Sequence, residues 1–193
     1  MQATSSEIEG CVLALAWAEG PMTPYAIRTE FLNSPNPQWS GSAGTIYPLV
    51  RRLEKRGWIR SQVRRTGKRK GNQILVTAAG LRILRRWLRV PLQDWVAGVP
   101  PDPLRTRVRF LGALSPSEQR AFVREALRRT AEHRRIVEQD CKSKESQDAF
   151  QYLTARGALL SMQARCAFVK ELARAVDTLP CRRRATGLQQ DGP

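Results

Sequence analysis

Long apolar runs, clustered metal-binding side chains and acidic charge are all scarce in this sequence. No stretch approaches the roughly 20 apolar residues that cross a bilayer, so no membrane partner is expected. The first ten residues, MQATSSEIEG, are polar and acidic rather than basic and then apolar. They read as no secretory signal, which places the protein in the cytoplasm. Histidine occurs once, as His133, and Cys11, Cys141, Cys166 and Cys181 are scattered with no CxxC pair. Structural zinc takes four clustered ligands, so neither a metal nor another cofactor is expected. A disulfide framework does not suit a chain without an export signal. Cys11, inside an apolar helical run, reads as a small buried hydrophobe. A glycine-rich phosphate loop, a nucleophile elbow and paired acids are also missing, which argues against an enzyme. His133, at helical spacing from Phe122, Ala126 and Ile136, reads as a core or interface residue.

The shortage of acids leaves a large positive balance: 33 Lys and Arg against 17 Asp and Glu, a net charge of +16. Residues 1–90 hold 15 basic and 5 acidic groups, and the densest block, Arg51 to Lys70, holds ten basic residues and one acid. A concentration of this kind suits a polyanion. Hydrophobic residues make up 41% of the chain, enough for a packed core.

Local signals divide the chain. Thr4-Ser5-Ser6-Glu7 has the spacing of a capping box, and Ile8, Cys11, Val12 and Leu15 follow at helical intervals up to Gly20-Pro21. Thr23-Pro24 opens a second helix, a cap followed by the proline that a first turn tolerates. A third spans roughly Ser42 to Arg56, with Ile46, Leu49, Val50 and Leu53 on one face and Gly57 as its stop. Pro48 is awkward there unless it sits in the first turn. The period then changes to two: Ile59, Ser61 and Val63 alternate with Arg60, Gln62 and Arg64, and Ile74-Leu75-Val76 is a second strand. Thr66 to Asn72 between them supplies glycines for a turn and three consecutive cations, a β-hairpin with a charged end. Thr77 caps a fourth helix carrying Leu81, Leu84 and Leu88. After the elbow Val99-Pro100-Pro101-Asp102-Pro103, Leu104, Val108 and Leu111 suggest a short helix. Ser115-Pro116-Ser117-Glu118 then starts a long helix to about Asp140, and another runs from about Asp148 to Leu179.

Three helices and a hairpin in this order form the winged helix-turn-helix pattern. A short helix presents its N-terminal side chains to a major groove about 12 Å wide, a second supports it, and the hairpin reaches neighbouring phosphates. The candidate DNA-binding residues are Tyr25, Ser40, Ser42, Thr45, Tyr47 and Arg51, then Arg64, Arg65, Lys68, Arg69 and Lys70 in the wing. Arg51 suits a guanine edge or a phosphate. The wing cations position the protein without specifying sequence, because phosphate contacts carry no sequence information. Bland readings compete: Tyr47 as cover for the core, Thr45 as a helix cap, and the cations as a solvated turn.

Glu19-Gly20-Pro21-Met22-Thr23-Pro24-Tyr25-Ala26-Ile27 resembles the segment opening the second helix of PadR-type transcriptional regulators, usually written EGPxHGYEI. Ser42 to Glu54, SAGTIYPLVRRLE, is similar to their recognition helix, G-[ST]-[IL]-Y-P-x-L-x-x-L. Val76-Thr77-Ala78-Ala79-Gly80 resembles their LTEAG exit from the wing. Thr23 and Pro24 replace the family's His and Gly, and Gln73 and Ile74 stand where the wing often carries tyrosines. The resemblance implies a mainly α protein. A winged helix-turn-helix DNA-binding domain at 1–90 would precede a helical dimerisation and effector domain at 91–180 of the longer, virulence-activator type. A disordered basic tail at 181–193 follows.

The function expected is sequence-specific DNA binding by a homodimeric repressor on an inverted-repeat operator, released by a small-molecule effector. Phe150, Leu153, Leu160, Ala164, Phe168, Leu172 and Val176 recur every three or four residues as a dimerisation stripe. Trp87, Trp95 and Phe110 are candidates for an effector pocket, with ordinary core as the bland use. The alternative is a basic architectural protein that binds nucleic acid without regard to sequence.

Overall fold

The computed structural model describes residues 6–34, 39, 43–66 and 69–178, with the backbone alone at 43, 64–66, 69 and 70. Ser40, Ser42, Lys68 and the tail at 181–193 lie outside the described residues. The chain divides into two compact units, Met1–Val99 and Pro100–Pro193.

In the first unit Ser6 caps α1 (Glu7–Ala18) through a reciprocal box with Glu9. The Glu9 carboxylate accepts the Ser6 N–H at 3.0 Å. Thr4 of the expected Thr4–Glu7 box lies outside the described residues. The Glu9 carboxylate is also held from far along the chain, by Arg52 and Arg56. Thr23 caps α2 (Pro24–Asn33), accepting the Ala26 N–H at 3.1 Å, with Pro24 in the first turn. Phe31 at the end of α2 stacks on Trp39, ring centroids 5.0 Å apart.

A 3-10 turn, Ala43–Thr45, leads into α3 (Ile46–Lys55). Pro48 is the third residue of α3, within the first turn, whose N–H groups have no intrahelical acceptor. The missing donor therefore costs no helical bond. At the other end Gly57 takes φ +68°, the Gly57 N–H donates to the Glu54 carbonyl and the Trp58 N–H to the Leu53 carbonyl. This crossed pair closes the helix, and its left-handed position favours glycine.

The hairpin pairs β1 (Ile59–Thr66) with β2 (Arg69–Val76), from Ile59 opposite Val76 to Thr66 opposite Arg69. Arg69 to Asn72, expected in the turn, continue the ladder instead. Only the root is in the core: Ile59 and Ile74 are buried, while Val63 is 65% exposed. The Ile74 N–H donates to the Met22 carbonyl at 2.7 Å, pinning the root to the loop before α2.

Thr77 caps α4 (Ala78–Leu88), accepting the Gly80 N–H and donating its hydroxyl to the Gly57 carbonyl. Gly80 crosses the chain so closely that an added Cβ would lie 1.9 Å from the Trp58 carbonyl oxygen. Gly10 of α1 leaves similar room for the Trp87 ring, whose N–H donates to Glu7 at 3.0 Å. A short α5 (Asp94–Ala97) buries no residue. The core gathers Val12 and Leu13, Ile27 and Phe31, the apolar stripe of α3, Trp58, Ile74 and Leu84.

Cys11 is in this core, as expected. Burial, and then the nearby Glu7 carboxylate, push its thiol up to about 12. An unfolded thiol ionises near pH 8.5, so above that pH the unfolded chain loses a proton that the native one keeps. This contribution to stability is intact below about pH 8.5 and drains as the pH climbs towards 12. At pH 8 the native protein should keep Cys11 unmodified by iodoacetamide and yield it only on unfolding. Peptide mass spectrometry showing Cys11 alkylated in the folded state would contradict this burial.

In the second unit Asp102 caps α6 (Pro103–Arg109), accepting the N–H groups of Leu104 and Arg105. Arg165 reaches the same carboxylate at 3.1 Å. A 3-10 turn, Leu111–Ala113, leads to Ser115, which caps α7 (Pro116–Ser143) in the box with Glu118 that the sequence implies. Helix α8 (Ala149–Thr178) packs back on α7. Their seam centres on Val137, Cys141, Ala155 and Leu159; Val123, Ala126 and Val169 are also buried. His133 is exposed on α7 rather than in a core. No helix among the described residues is long and apolar enough to cross a membrane.

Candidate DNA interface

Helix α3 buries Ile46, Leu49, Val50 and Leu53 against the core. At 100° per residue the opposite side carries Tyr47, Arg51 and Lys55. All three are exposed, Tyr47 by 44%. Arg51 and Lys55 are four residues apart, one above the other on that face. Neither has an ion pair among the described residues. The face therefore offers an aromatic hydroxyl and two cations. Such groups bind phosphate oxygens or base edges.

Tyr25 is exposed in the first turn of α2, and Thr45 is exposed at the cap position of α3, where its side chain makes no capping bond to the helix. Arg64 pairs in backbone register with Gly71, and Arg65 with Lys70. Arg69 lies opposite Thr66. The side chains of Arg64, Arg65, Arg69 and Lys70 lie outside the described residues. Lys55 was missed by sequence reasoning, although its spacing from Arg51 places it on the same face. Arg60 and Gln62, exposed on β1, were not singled out either.

The basic block is less free than its composition suggests. Its one acid, Glu54, accepts the Ser61 N–H at 3.0 Å and so joins the end of α3 to the hairpin. Two of its cations are occupied from elsewhere. Arg52 and Arg56 donate to Glu9 Oε1 at 3.2 and 3.0 Å, and Glu9 itself is 4% exposed. Arg56 also lies over the Trp58 ring at 5.0 Å.

The aromatic residues expected to line an effector pocket fall in both units. Trp87 is committed to Gly10 and Glu7, and Trp95 is exposed on α5. Phe110 belongs to the second unit, where it lines a shallow depression with Arg105, Thr106 and Arg109.

The stripe expected to dimerise falls on the face of α8 opposite the seam. Phe150, Leu153 and Leu160 are 78, 59 and 51% exposed, and Ala164 is exposed with them. Phe168, Leu172 and Val176 are half-buried as the stripe drifts round the helix.

The profile of the Transcriptional regulator PadR-like family matches residues 12–86. No curated protein sequence matches the chain. Among solved structures, Bacillus subtilis PadR in complex with operator DNA is similar, with a TM-score of 0.74 and 19% identity. The match covers 89% of this chain and 100% of that one. The PadR-like transcriptional regulator BC1756 from Bacillus cereus matches with a TM-score of 0.71 and 18% identity, covering 91% and 99% of the two chains. Bacillus subtilis PadR in complex with p-coumaric acid matches with a TM-score of 0.68 and 18% identity, covering 88% and 95%. Residues 12–86 thus match the transcriptional regulator PadR-like family, and the fold is similar to that of the solved PadR structures.

Proposed function

We propose that this protein is a homodimeric repressor that reads an inverted-repeat operator with α3 and is released by a small-molecule effector. The observation that carries the reading is the outward face of α3, where Tyr47, Arg51 and Lys55 stand exposed on a helix held by its opposite face. Tyr25 and Thr45 extend that contact, as do Ser40 and Ser42 ahead of the helix. The wing residues Arg64, Arg65, Lys68, Arg69 and Lys70 add phosphate contacts. In a symmetric dimer the two α3 helices would sit about 34 Å apart, one turn of DNA. Phe150, Leu153, Leu160 and Ala164 would form the dimer contact, continued by Phe168, Leu172 and Val176. Residues 1–90 would bind DNA and 91–180 would dimerise and respond to the effector.

Bacillus subtilis PadR, crystallised with operator DNA and with p-coumaric acid, supports both halves of this reading. Phe110, exposed in the second unit, is one aromatic group that an effector would use there. The test is selection of bound duplexes from a random pool, followed by salt titration on the selected and a scrambled sequence. A selected inverted repeat bound at least about 1,000-fold more tightly than its scramble is expected. Affinity that falls with salt and ignores sequence would make the protein an architectural binder instead. Tyr47→Ala should weaken the selected duplex by about 10-fold and leave the dimer intact. Unchanged mobility shifts would remove Tyr47 from the interface.

A further inference from the structure

The three cations of α3 and Arg56 at its C-cap fall into two pairs with different surroundings. Arg51 and Lys55 face outward. Arg52 and Arg56, also four residues apart, converge on one oxygen of Glu9. The other oxygen of that carboxylate accepts the Ser6 N–H. A carboxylate has about four acceptor sites, and these three donors satisfy most of them. A buried charge needs such partners, whereas half-exposed arginines do not need the carboxylate. Glu9 is thus the dependent member, and the arginines are the groups whose direction it sets. Composition counts all four as charge available to DNA, but the geometry does not.

We propose that Glu9 is a positioning residue for DNA readout: its carboxylate withdraws Arg52 and Arg56 from phosphate binding and fixes the angle at which α3 presents Tyr47, Arg51 and Lys55. This rests on the DNA-binding reading above. Glu9→Gln is the informative variant, because its one amide oxygen can keep the Ser6 N–H of the capping box while the charge and the acceptor facing the two arginines are lost. It should leave the helical content unchanged. It should steepen the salt dependence of binding to a mixed-sequence duplex by about one to two in log–log slope as the arginines become available to phosphates. It should also reduce the ratio of selected to scrambled affinity by about 10-fold.

Arg52→Gln and Arg56→Gln approach the same tie from the other side. Each should lower that ratio while leaving the mixed-duplex slope at the parent value. Arg51→Gln should flatten the slope by about one per lost contact. A flattened slope for Arg52→Gln or Arg56→Gln would make those residues ordinary phosphate contacts and overturn the proposal. An unchanged slope and ratio in a folded Glu9→Gln protein would overturn it too. If Glu9→Gln does not fold, the two arginine variants decide alone. If the parent chain binds no duplex, the DNA-binding reading fails and this inference falls with it.

Discussion

Gly80→Ala should melt the winged-helix unit about 15 °C below the parent chain. The added carbon would lie 1.9 Å from the Trp58 carbonyl oxygen, 2.8 Å from its carbon and 3.0 Å from Val76 Cγ1. Two of these atoms are backbone, so rotamer changes give no relief. Moving the strand away would break the bond from the Thr77 N–H to the Trp58 carbonyl, 3.0 Å long, which joins α4 to the end of α3. Clashes with immovable neighbours rank among the most costly single substitutions, about 3 kcal/mol or more. A domain of under 100 residues loses roughly 4–8 °C for each kcal/mol. Circular dichroism on heating measures this. Gly112→Ala, where nothing lies within 4 Å of the added carbon, should melt with the parent. Coincident melting of Gly80→Ala and the parent would mean that α4 does not cross at that distance.

Replacing Leu153 and Leu160 together by aspartate should turn a dimer into a helical monomer and weaken operator binding by about 100-fold or more. Both side chains are more than half exposed, on the opposite side of α8 from the Ala155 and Leu159 seam. The substitutions therefore leave the packing on α7 untouched, while two charges at the centre of an apolar interface have no partner. The loss of affinity follows from linkage. Two half-sites bound by one dimer share an effective concentration that separate monomers lack, worth a factor of about 100 to 10,000. Light scattering reads the mass and a mobility shift reads the affinity. A double variant that stays dimeric would place the contact elsewhere. Leu159→Asp is the contrasting case, because it strikes the seam and should cost helical content.

The elements of this fold that were legible in the sequence are those specified locally. Thr23-Pro24, Thr77 and Ser115-Pro116-Ser117-Glu118 each place a cap and its partner within three residues, and the helices start there. Errors arose where two local patterns competed. The Ser6–Glu9 box, with the same spacing as Thr4–Glu7, was passed over, and the arginines that hold Glu9 lie far along the chain. Gly71 reads as a turn residue by type, yet it pairs with Arg64 because the ladder continues beyond the buried root. On α8 the bulkier side chains announced a stripe, while the seam with α7 uses the smaller Ala155 together with Leu159 and Val169.

The candidate interface was legible in the same uneven way. Tyr47 and Arg51 follow from position in α3, and Lys55 would have followed from carrying the same spacing one turn further. Nothing within reach of a local pattern relates Glu9 to Arg52 and Arg56, 43 and 47 residues away. The charge block therefore looked uniform, although two of its members are engaged.

The reach of that carboxylate also bears on how the chain is made. Synthesis proceeds from the N-terminus at about 5–20 residues per second. When Glu9 leaves the ribosome, neither arginine yet exists. For the several seconds needed to add residues up to Arg56, the first helix carries a carboxylate that must stay hydrated. It therefore cannot settle into its final place. The tie that holds the first helix by Glu9 is therefore completed only after Arg52 and Arg56 have been made.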